Sequence, residues 1–470
     1  MKKIILTFLS VLVLFKLEAQ TKWTLQQCIE QALKNNISLK QTEITSEISE
    51  LNYNQSIAGI LPSLNAGANH TYNIGRTIDR YTNTFANSNI LSQNFYLSSQ
   101  VTLWSGMSQY NAIKQNQYTL LASKENLEQQ KNDLSLNVAT SFLEVIYNRE
   151  LIKVAQSQVN ITSLQLERTQ KLVEGGTLAK TTLFDIKAQL ANDEYTFTSA
   201  QNNYNISMLA LKQLLNIDTL NNFDIETPNL DVVQNDLMSK SVAEIYLIAL
   251  GNQHNIKSAE YALFANEKGL ASAKGRLSPT LSLSGSIGTG YSGLAQQLVS
   301  TSFAGYNPIG FTSKFDTVYT PYYETVTRKK SFADQFKDNI NKSVGLQLSI
   351  PLFNGLQNYT AIKTAKLQLL NSKFTYDMRK QQLYKAITKA YADAEASLNK
   401  YLAAKSALTS AEEAFTYTQQ KFSAGAISVY DFSLAKNRLL KSQADILNAK
   451  FDYVFKLKVL DFYQGKPLGF

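Results

Sequence analysis

The chain repeats its own plan. Thr102-Leu103-Trp104-Ser105-Gly106, followed by Tyr110-Asn111-Ala112-Ile113-Lys114, returns as Pro351-Leu352-Phe353-Asn354-Gly355 followed by Tyr359-Thr360-Ala361-Ile362-Lys363, at an offset of 249. The same offset sets Leu120-Leu121 on Leu369-Leu370, Ser123-Lys124 on Ser372-Lys373, Phe142 on Tyr391 and Gly176 on Gly425. Upstream the offset is 217: Ala32-Leu33-Lys34-Asn35 falls on Ala249-Leu250-Gly251-Asn252, and Pro62 on Pro279. The difference of 32 residues is an insertion in the second copy between Pro279 and Gly355. Registers held over such lengths mean one supersecondary plan built twice, and every local assignment must satisfy both copies.

Each copy reads helix, strand, strand, helix, turn, helix. The opening helix runs from about Thr24 to Ile60 and its copy from about Val242 to Leu277, with Pro62 and Pro279 marking the change to strand, because proline cannot continue the helix ladder. Beyond Pro62, Leu64, Ala66, Ala68, His70, Tyr72 and Ile74 alternate with Asn65, Gly67, Asn69, Thr71 and Asn73. Phe95, Leu97, Val101 and Leu103 then alternate with Tyr96, Ser98, Gln100 and Thr102. The second copy sets Leu281, Leu283, Ile287 and Tyr291 against Ser282, Ser284, Ser286, Gly288 and Gly290, and Val344, Leu346, Leu348, Ile350 and Leu352 against Ser343, Gly345, Gln347 and Ser349. The four strands are therefore expected at about 63–74, 95–104, 280–291 and 343–353.

Strands of this length with one apolar and one polar face suit either a membrane barrel or a soluble sandwich with a wet face. The N-terminus weighs toward the membrane. Met1-Lys2-Lys3 followed by the apolar run Ile4 to Phe15 and the small Ala19 is an export leader, here residues 1–19. No other strands are evident to supply a second sheet. A sheet in lipid cannot leave open edges, and four strands cannot close a barrel, for which about eight are needed. Copies of the chain must then share one barrel, and three copies give twelve strands. The connecting loops, about Gly75 to Asn94 and Ser292 to Lys342, read as surface loops facing outward. The second holds the insertion and Phe303, Tyr306, Phe311, Tyr319, Tyr322 and Tyr323; a lid and an external contact surface are both open roles for it.

From Gly355 to Ala424 no proline or further glycine intervenes. Ile387, Tyr391, Ala394, Leu398, Tyr401, Leu408, Phe415 and Phe422 form a coiled-coil seam, and Ala390, Ser397, Ala404, Ala411 and Thr418 a second small-residue stripe. Val138, Phe142, Val145, Ile152, Val159, Leu166 and Val173 are the seam of the first copy. Two packing faces suit a wall of helices. Roughly 70 residues at 1.5 Å make a rod of about 100 Å, which turns at Gly176 or Gly425 and returns over Thr181 to Leu215 or Val429 to Tyr463. A returning and an opening helix placed end to end match one long helix, which argues for a uniform helical cylinder. Asn216 to Lys240, rich in Asn and Asp and containing Pro228, would belt it. In outline, the first repeat is 20–216, the linker 217–240, the second repeat 241–465 and the tail 466–470, with hairpin tips at about 174–179 and 424–428.

One cysteine, Cys28, and two histidines, His70 and His254, leave no disulfide framework and almost no material for a His/Cys metal site or a histidine-based acid–base pair. The expectation is no enzyme, no cofactor and no metal. The net charge of +9 is scattered among acids without a basic stripe interleaved with aromatics, so no nucleic-acid partner is expected. Gly288-Thr289-Gly290-Tyr291-Ser292-Gly293 fits the dinucleotide fingerprint by letter, but no βαβ unit surrounds it.

Two local patterns, set in this repeat, resemble the TolC-like outer-membrane efflux protein family over essentially the whole exported chain. Ala32-Leu33-Lys34-Asn35-Asn36 is similar to the family's opening Ala-Leu-x-x-Asn, with Ile37 where proline is common. Phe422-x-x-Gly425-x-x-Ser428-x-x-Asp431-x-x-x-Ala435 is similar to its hairpin motif; the first copy has Gly176, Ala179 and Thr182 at the Gly, Ser and Asp positions. The resemblance implies a mainly α chain with a transmembrane β-barrel portion: a long coiled-coil-like helical barrel in the periplasm under a twelve-stranded outer-membrane barrel shared by a homotrimer. It implies a passive conduit for a tripartite efflux pump or type I secretion system, with a periplasmic adaptor, an inner-membrane transporter and outer-membrane lipid as partners. The tips Gly176, Thr177, Leu178, Gly425, Ala426 and Ile427 would dock the adaptor, and Asp431 and Thr182 would lie at the periplasmic constriction. Asp431 serves equally well as a first-turn acid that caps the returning helix. The competing reading, a periplasmic adaptor-type coiled-coil protein, needs one hairpin where this chain has two.

Overall fold

A computed structural model of the chain describes residues 22–79, 82–83, 85–87, 89–217, 223–228 and 240–466. The export leader, most of the linker and residues 467–470 lie outside the described residues. The chain divides into two units, one of Met1–Glu50, Tyr118–Phe264 and Leu370–Phe470, the other of Leu51–Gln117 and Ala265–Leu369.

The first unit is helical. α1 (Leu25–Asn35) starts from a capping box in which Thr24 and Gln27 satisfy each other's backbone N–H groups. The chain then breaks at Asn36, which is extended (φ −66, ψ 121), before α2 (Ile37–Ala58). The single opening helix expected from the sequence is thus two helices, because the Asn36 side-chain carbonyl accepts from Leu39 N–H at 3.0 Å and restarts the helix. The break is duplicated: α5 (Val242–Asn252) and α6 (His254–Gly275) are separated at Gln253 (φ −75, ψ 120). The long helices are α3 (Ser108–Glu174) and α8 (Gln357–Ser423), each 67 residues, and the returning ones are α4 (Lys180–Leu215) and α9 (Val429–Tyr463).

The two repeats bury the same positions. Cys28, Ala32, Val138, Val145 and Leu211 are core residues of one cluster; Ile245, Ala249, Ile387, Ala394 and Leu460, their equivalents in the second copy, are core residues of another. Desolvation pushes the Cys28 thiol up to about 12, so it stays protonated and unreactive. At the rim of the first cluster, Trp23 makes a parallel bridge to Ile225. Arg149 nearby donates to Ile225 O (2.9 Å), Thr227 Oγ1 (3.1 Å) and Tyr204 OH (3.1 Å) and pairs with Asp224.

The second unit holds an antiparallel sheet ordered β1 (Ser63–Asn73), β4 (Ile90–Trp104), β5 (Thr280–Ser292), β8 (Asn341–Ser349). Its register gathers the apolar sets on one face. Ala66 lies opposite Leu97, Leu97 opposite Ile287, and Leu281 and Leu283 opposite Leu348 and Leu346. Leu64, Val344, Leu346 and Leu348 are exposed in the single chain. Glycine is required where the chain leaves the sheet: Gly106 has φ +60, and a Cβ there would lie 2.3 Å from Ser278 Cβ.

Both connecting loops hold more structure than expected. The first contains the short pair β2 (Arg76–Ile78) and β3 (Phe85–Asn87), and β4 begins at Ile90 rather than near Phe95. Within 292–342, β6 (Gln296–Phe311) and β7 (Thr317–Lys329) form an antiparallel ribbon, and α7 (Phe332–Asp338) follows. The ribbon forms because Thr317-Val318-Tyr319-Thr320 and Tyr322-Tyr323-Glu324-Thr325-Val326-Thr327 are dense in β-branched and aromatic residues. A second two-stranded sheet therefore exists where the sequence showed none. β8 ends at Ser349, so Ile350 and Leu352 lie beyond the ladder. Among the described residues no helix is long and apolar enough to cross a membrane.

Candidate functional site

The two hairpin tips meet at one cleft. Each long helix ends in the same stop. Gly176 (φ +77) and Gly425 (φ +73) take the left-handed conformation that a Cβ disfavours. Thr177 N–H reaches back to Leu172 O (2.8 Å) and Gly176 N–H to Val173 O (3.0 Å); Ala426 N–H reaches Lys421 O (2.9 Å) and Gly425 N–H reaches Phe422 O (3.0 Å). This paired bonding satisfies the last helical carbonyls and turns the chain back sharply.

The returns differ. Ser428 Oγ accepts from Asp431 N–H at 3.2 Å, and Asp431 Oδ2 accepts from Ser428 N–H at 3.3 Å and from its hydroxyl at 2.7 Å. That box fixes the start of α9. In the first copy Ala179 stands at the cap position with no side-chain bond, and Thr182 N–H bonds only Ala179 O. Asp431 is exposed and Thr182 half-buried.

Thr177, Leu178, Thr182, Gly425 and Ile427 line a common cleft of about 510 Å³. Of the tip residues, Gly176, Thr177, Gly425 and Ala426 are exposed, while Leu178 and Ile427 turn inward. Ile427 packs on the cluster of Ala411, Phe415, Phe432 and Leu439. Phe422, in the motif, stacks on Phe432 with ring centroids 4.7 Å apart. Sequence reasoning missed Arg168, whose guanidinium bonds Ser423 Oγ (2.9 Å) and Ser423 O (2.8 Å) and so ties α3 to the end of α8.

It also missed a buried charge cluster between the hairpins. Lys436 Nζ pairs with Asp193 and donates to Thr162 Oγ1 at 2.7 Å; Thr162 donates to Asp193 Oδ2 at 2.5 Å, and Gln189 Nε2 to Asp193 Oδ1 at 2.9 Å. The Lys436 side chain is fully buried (0% exposed) and Asp193 nearly so (5%). Desolvation lowers the Lys436 pKa from the usual lysine value, against the attraction of Asp193. The available signal was a lone charge on an apolar stripe: Lys436 sits between Phe432 and Leu439 on α9, and Asp193 one heptad after the buried Ile186 on α4.

What the tips offer is a shaped, mixed-polarity surface carried by the ends of long helices.

Known proteins supply the remaining comparison. The model of a family described as outer membrane efflux protein matches residues 28–216 and 245–465. Outer membrane protein TolC of Escherichia coli is 23% identical, covering 92% of this chain and 80% of its own length. The alkaline protease secretion protein AprF of Pseudomonas aeruginosa is 21% identical over 87% of this chain and 77% of its own length. The outer membrane protein VceC of Vibrio cholerae superposes with a TM-score of 0.74 at 17% identity, covering 94% of this chain and 96% of that one, which is a likeness of fold.

Proposed function

The chain belongs to the outer membrane efflux protein family, and from that membership we propose that it forms, with further copies of itself, a tunnel through the outer membrane. It is the outer-membrane channel of an efflux or type I secretion system, with its helical part in the periplasm. It works as a passive conduit.

The observation that carries the shared tunnel is the sheet. β1 and β8 are its two edges, and the strand order makes them run in opposite directions. β8 of one copy therefore matches β1 of the next in the antiparallel sense, and lipid tolerates only a closed ring. Three copies give twelve strands, with the Leu64, Leu97, Ile287 and Leu346 face toward lipid and the Ser and Gln face toward water. The exposed tips Gly176, Thr177, Gly425 and Ala426, with Leu178 and Ile427 shaping the cleft behind them, would receive the helical hairpins of a periplasmic adaptor that links the tunnel to an inner-membrane transporter. Asp431 and Thr182 would lie at the periplasmic constriction. Asp431 both caps α9 and keeps Oδ1 for the lumen, so each copy brings one carboxylate where Thr182 brings none.

The test is the mass of the detergent-purified protein together with its conductance in a planar bilayer. A trimer that conducts ions, with cation preference weakened in Asp431→Asn, is the expected result; a monomer without conductance overturns the tunnel.

A further inference from the structure

We propose that α7 and the apolar face of the sheet form a binding site for a phosphorylated glycolipid of the outer leaflet. The proposal rests on the membrane placement given above.

The groove is built first. β8 stops at Asn341, opposite Gly288, while β5 continues to Ser292, so the last edge groups of β5 have no strand partner. α7 takes their place. The fully buried Gln335 accepts from Ser292 N–H (2.8 Å) and donates to Ser292 O and to Lys330 O (3.0 Å each). Asn339 donates to Gly290 O at 2.8 Å, and Thr289 Oγ1 donates to Phe336 O at 2.6 Å. On the same sheet-facing side of the helix, Phe332 and Phe336 meet Phe95 edge-on, at 6.2 and 5.7 Å. A seven-residue helix thus held cannot drift, and the space beside it is preformed.

That space measures about 540 Å³ and is lined by Ala66, Ala68, Leu97, Ile287, Phe336 and Ile340, among others. Its volume lies in the range of small-molecule sites, and it opens on the same face that carries Leu64 and Leu346. An acyl chain is the apolar ligand that such a face meets in a bilayer.

The charge around it selects the headgroup. Arg328 and Lys329 end β7, Lys337 lies on α7, and Lys342, the second residue of β8, lies directly opposite the groove residue Ile287. Lys342 therefore shares the face of Val344, Leu346 and Leu348, an unusual place for a cation. None of these four makes an ion pair among the described residues, whereas Lys330 is engaged by Asp338 at 2.7 Å and Asp334 by the Ser331 hydroxyl at 2.6 Å. From residue 328 to 342 five cations face two acids. Cations snorkelling at the edge of an apolar surface match phosphates placed at headgroup depth. A phosphorylated glycolipid supplies both parts: acyl chains for the groove and phosphates for Lys337, Lys342 and whichever of the successive strand residues Arg328 and Lys329 lies on the groove side of β7.

The test uses native mass spectrometry of the full chain purified in neutral detergent and offered diphosphoryl lipid A or phosphatidylethanolamine. Lipid A retained at least tenfold more than phosphatidylethanolamine is expected, with at least a tenfold loss in the Arg328→Gln/Lys329→Gln/Lys337→Gln/Lys342→Gln variant and in Ile287→Phe, which fills the groove. Equal retention of the two lipids, or undiminished lipid A on the charge variant, overturns the site. Conductance of the same variant in a bilayer of neutral lipid reports separately on the tunnel, because headgroup binding has no part in closing the barrel.

Discussion

Neutralising one member of the Lys436–Asp193 pair should loosen the hairpins near their tips far more than removing both. The pair lies between α9 of the second hairpin and α4 of the first, with Thr162 of α3 bonded to both partners. Neither charge has water to fall back on. Breaking a buried pair from one side costs about 3–5 kcal/mol, whereas replacing both partners by apolar groups of similar volume is often neutral or stabilising. Asp193→Asn leaves a buried ammonium facing a neutral amide, so amide exchange around Asp193 in α4 and around Lys436 in the tip-proximal part of α9 should speed up by roughly 10² to several 10³, at about 1.4 kcal/mol per decade. Lys436→Met should act in the same direction, and Lys436→Met/Asp193→Leu should return exchange to within about tenfold of the parent. Hydrogen–deuterium exchange of the detergent-purified protein reads all three. A harmless Asp193→Asn, or a double variant as labile as the singles, would refute the claim that these charges are desolvated and coupled. The pH response has a definite sign as well. With the Lys436 pKa lowered in the folded chain, the unfolded chain binds more protons between that value and the usual 10.5, so protection should rise with pH across this window and level off above it. Lys436→Met should lack that slope.

Other consequences follow from single positions. Gly425→Ala forces a Cβ into φ +73 with nothing within 4 Å of it, so its cost of about 1–2 kcal/mol is backbone strain alone; Gly425→Pro should abolish export while the protein still reaches the outer membrane, as an export assay beside membrane fractionation shows. Ser428→Ala should weaken the start of α9 by about 1 kcal/mol, and Ala179→Ser with Thr182→Asp should strengthen the start of α4 by a similar amount, both read as exchange at the first turn. Gly106 and Gly355 are repeat equivalents with φ +60 and +63, yet only Gly106 is hemmed in, by Ser278 Cβ at 2.3 Å. Gly106→Ala should therefore add about 1–3 kcal/mol of overpacking to the strain that Gly355→Ala carries alone, seen as a larger fall in folded protein recovered.

Much of the fold was legible because each element is written twice. The long helices can be read from seam positions such as Val138 and Ile387, which the structure buries as a matched pair. The strands can be read from an alternation whose register then places Leu97 beside Ala66 and Ile287. Repetition also explains the misses. The ribbon of β6 and β7 lies in the insertion, with no second copy to be compared against, and its alternation is blurred by the register shifts beside Ser300, Gly305 and Gly310. The opening helices seemed continuous because Asn36 and Gln253 are ordinary helix-surface residues by composition; the break depends on where the Asn36 side chain bonds, which spacing does not report.

The tip cleft was half legible for a related reason. Glycine turns and a Ser-x-x-Asp box are local devices, set by backbone geometry within a few residues, so Gly176, Gly425, Ser428 and Asp431 could be found one copy at a time. The contact between the hairpins is not local, and it lies where the copies have diverged. The repeat equivalents of Thr162 and Asp193 are Ala411 and Ser442, and that of Lys436 is Lys187, which is exposed. Ala411 instead packs in the apolar cluster of Phe415 and Phe432. A charge on one helix normally signals a solvated face, and Lys187 is such a charge. Lys436 becomes a buried cation only because the other hairpin brings Asp193 and Thr162 to it. In a duplicated chain, matched positions specify the shared architecture, and polar positions whose copies differ in residue or in burial are the place to look for the contacts that tell one hairpin from the other.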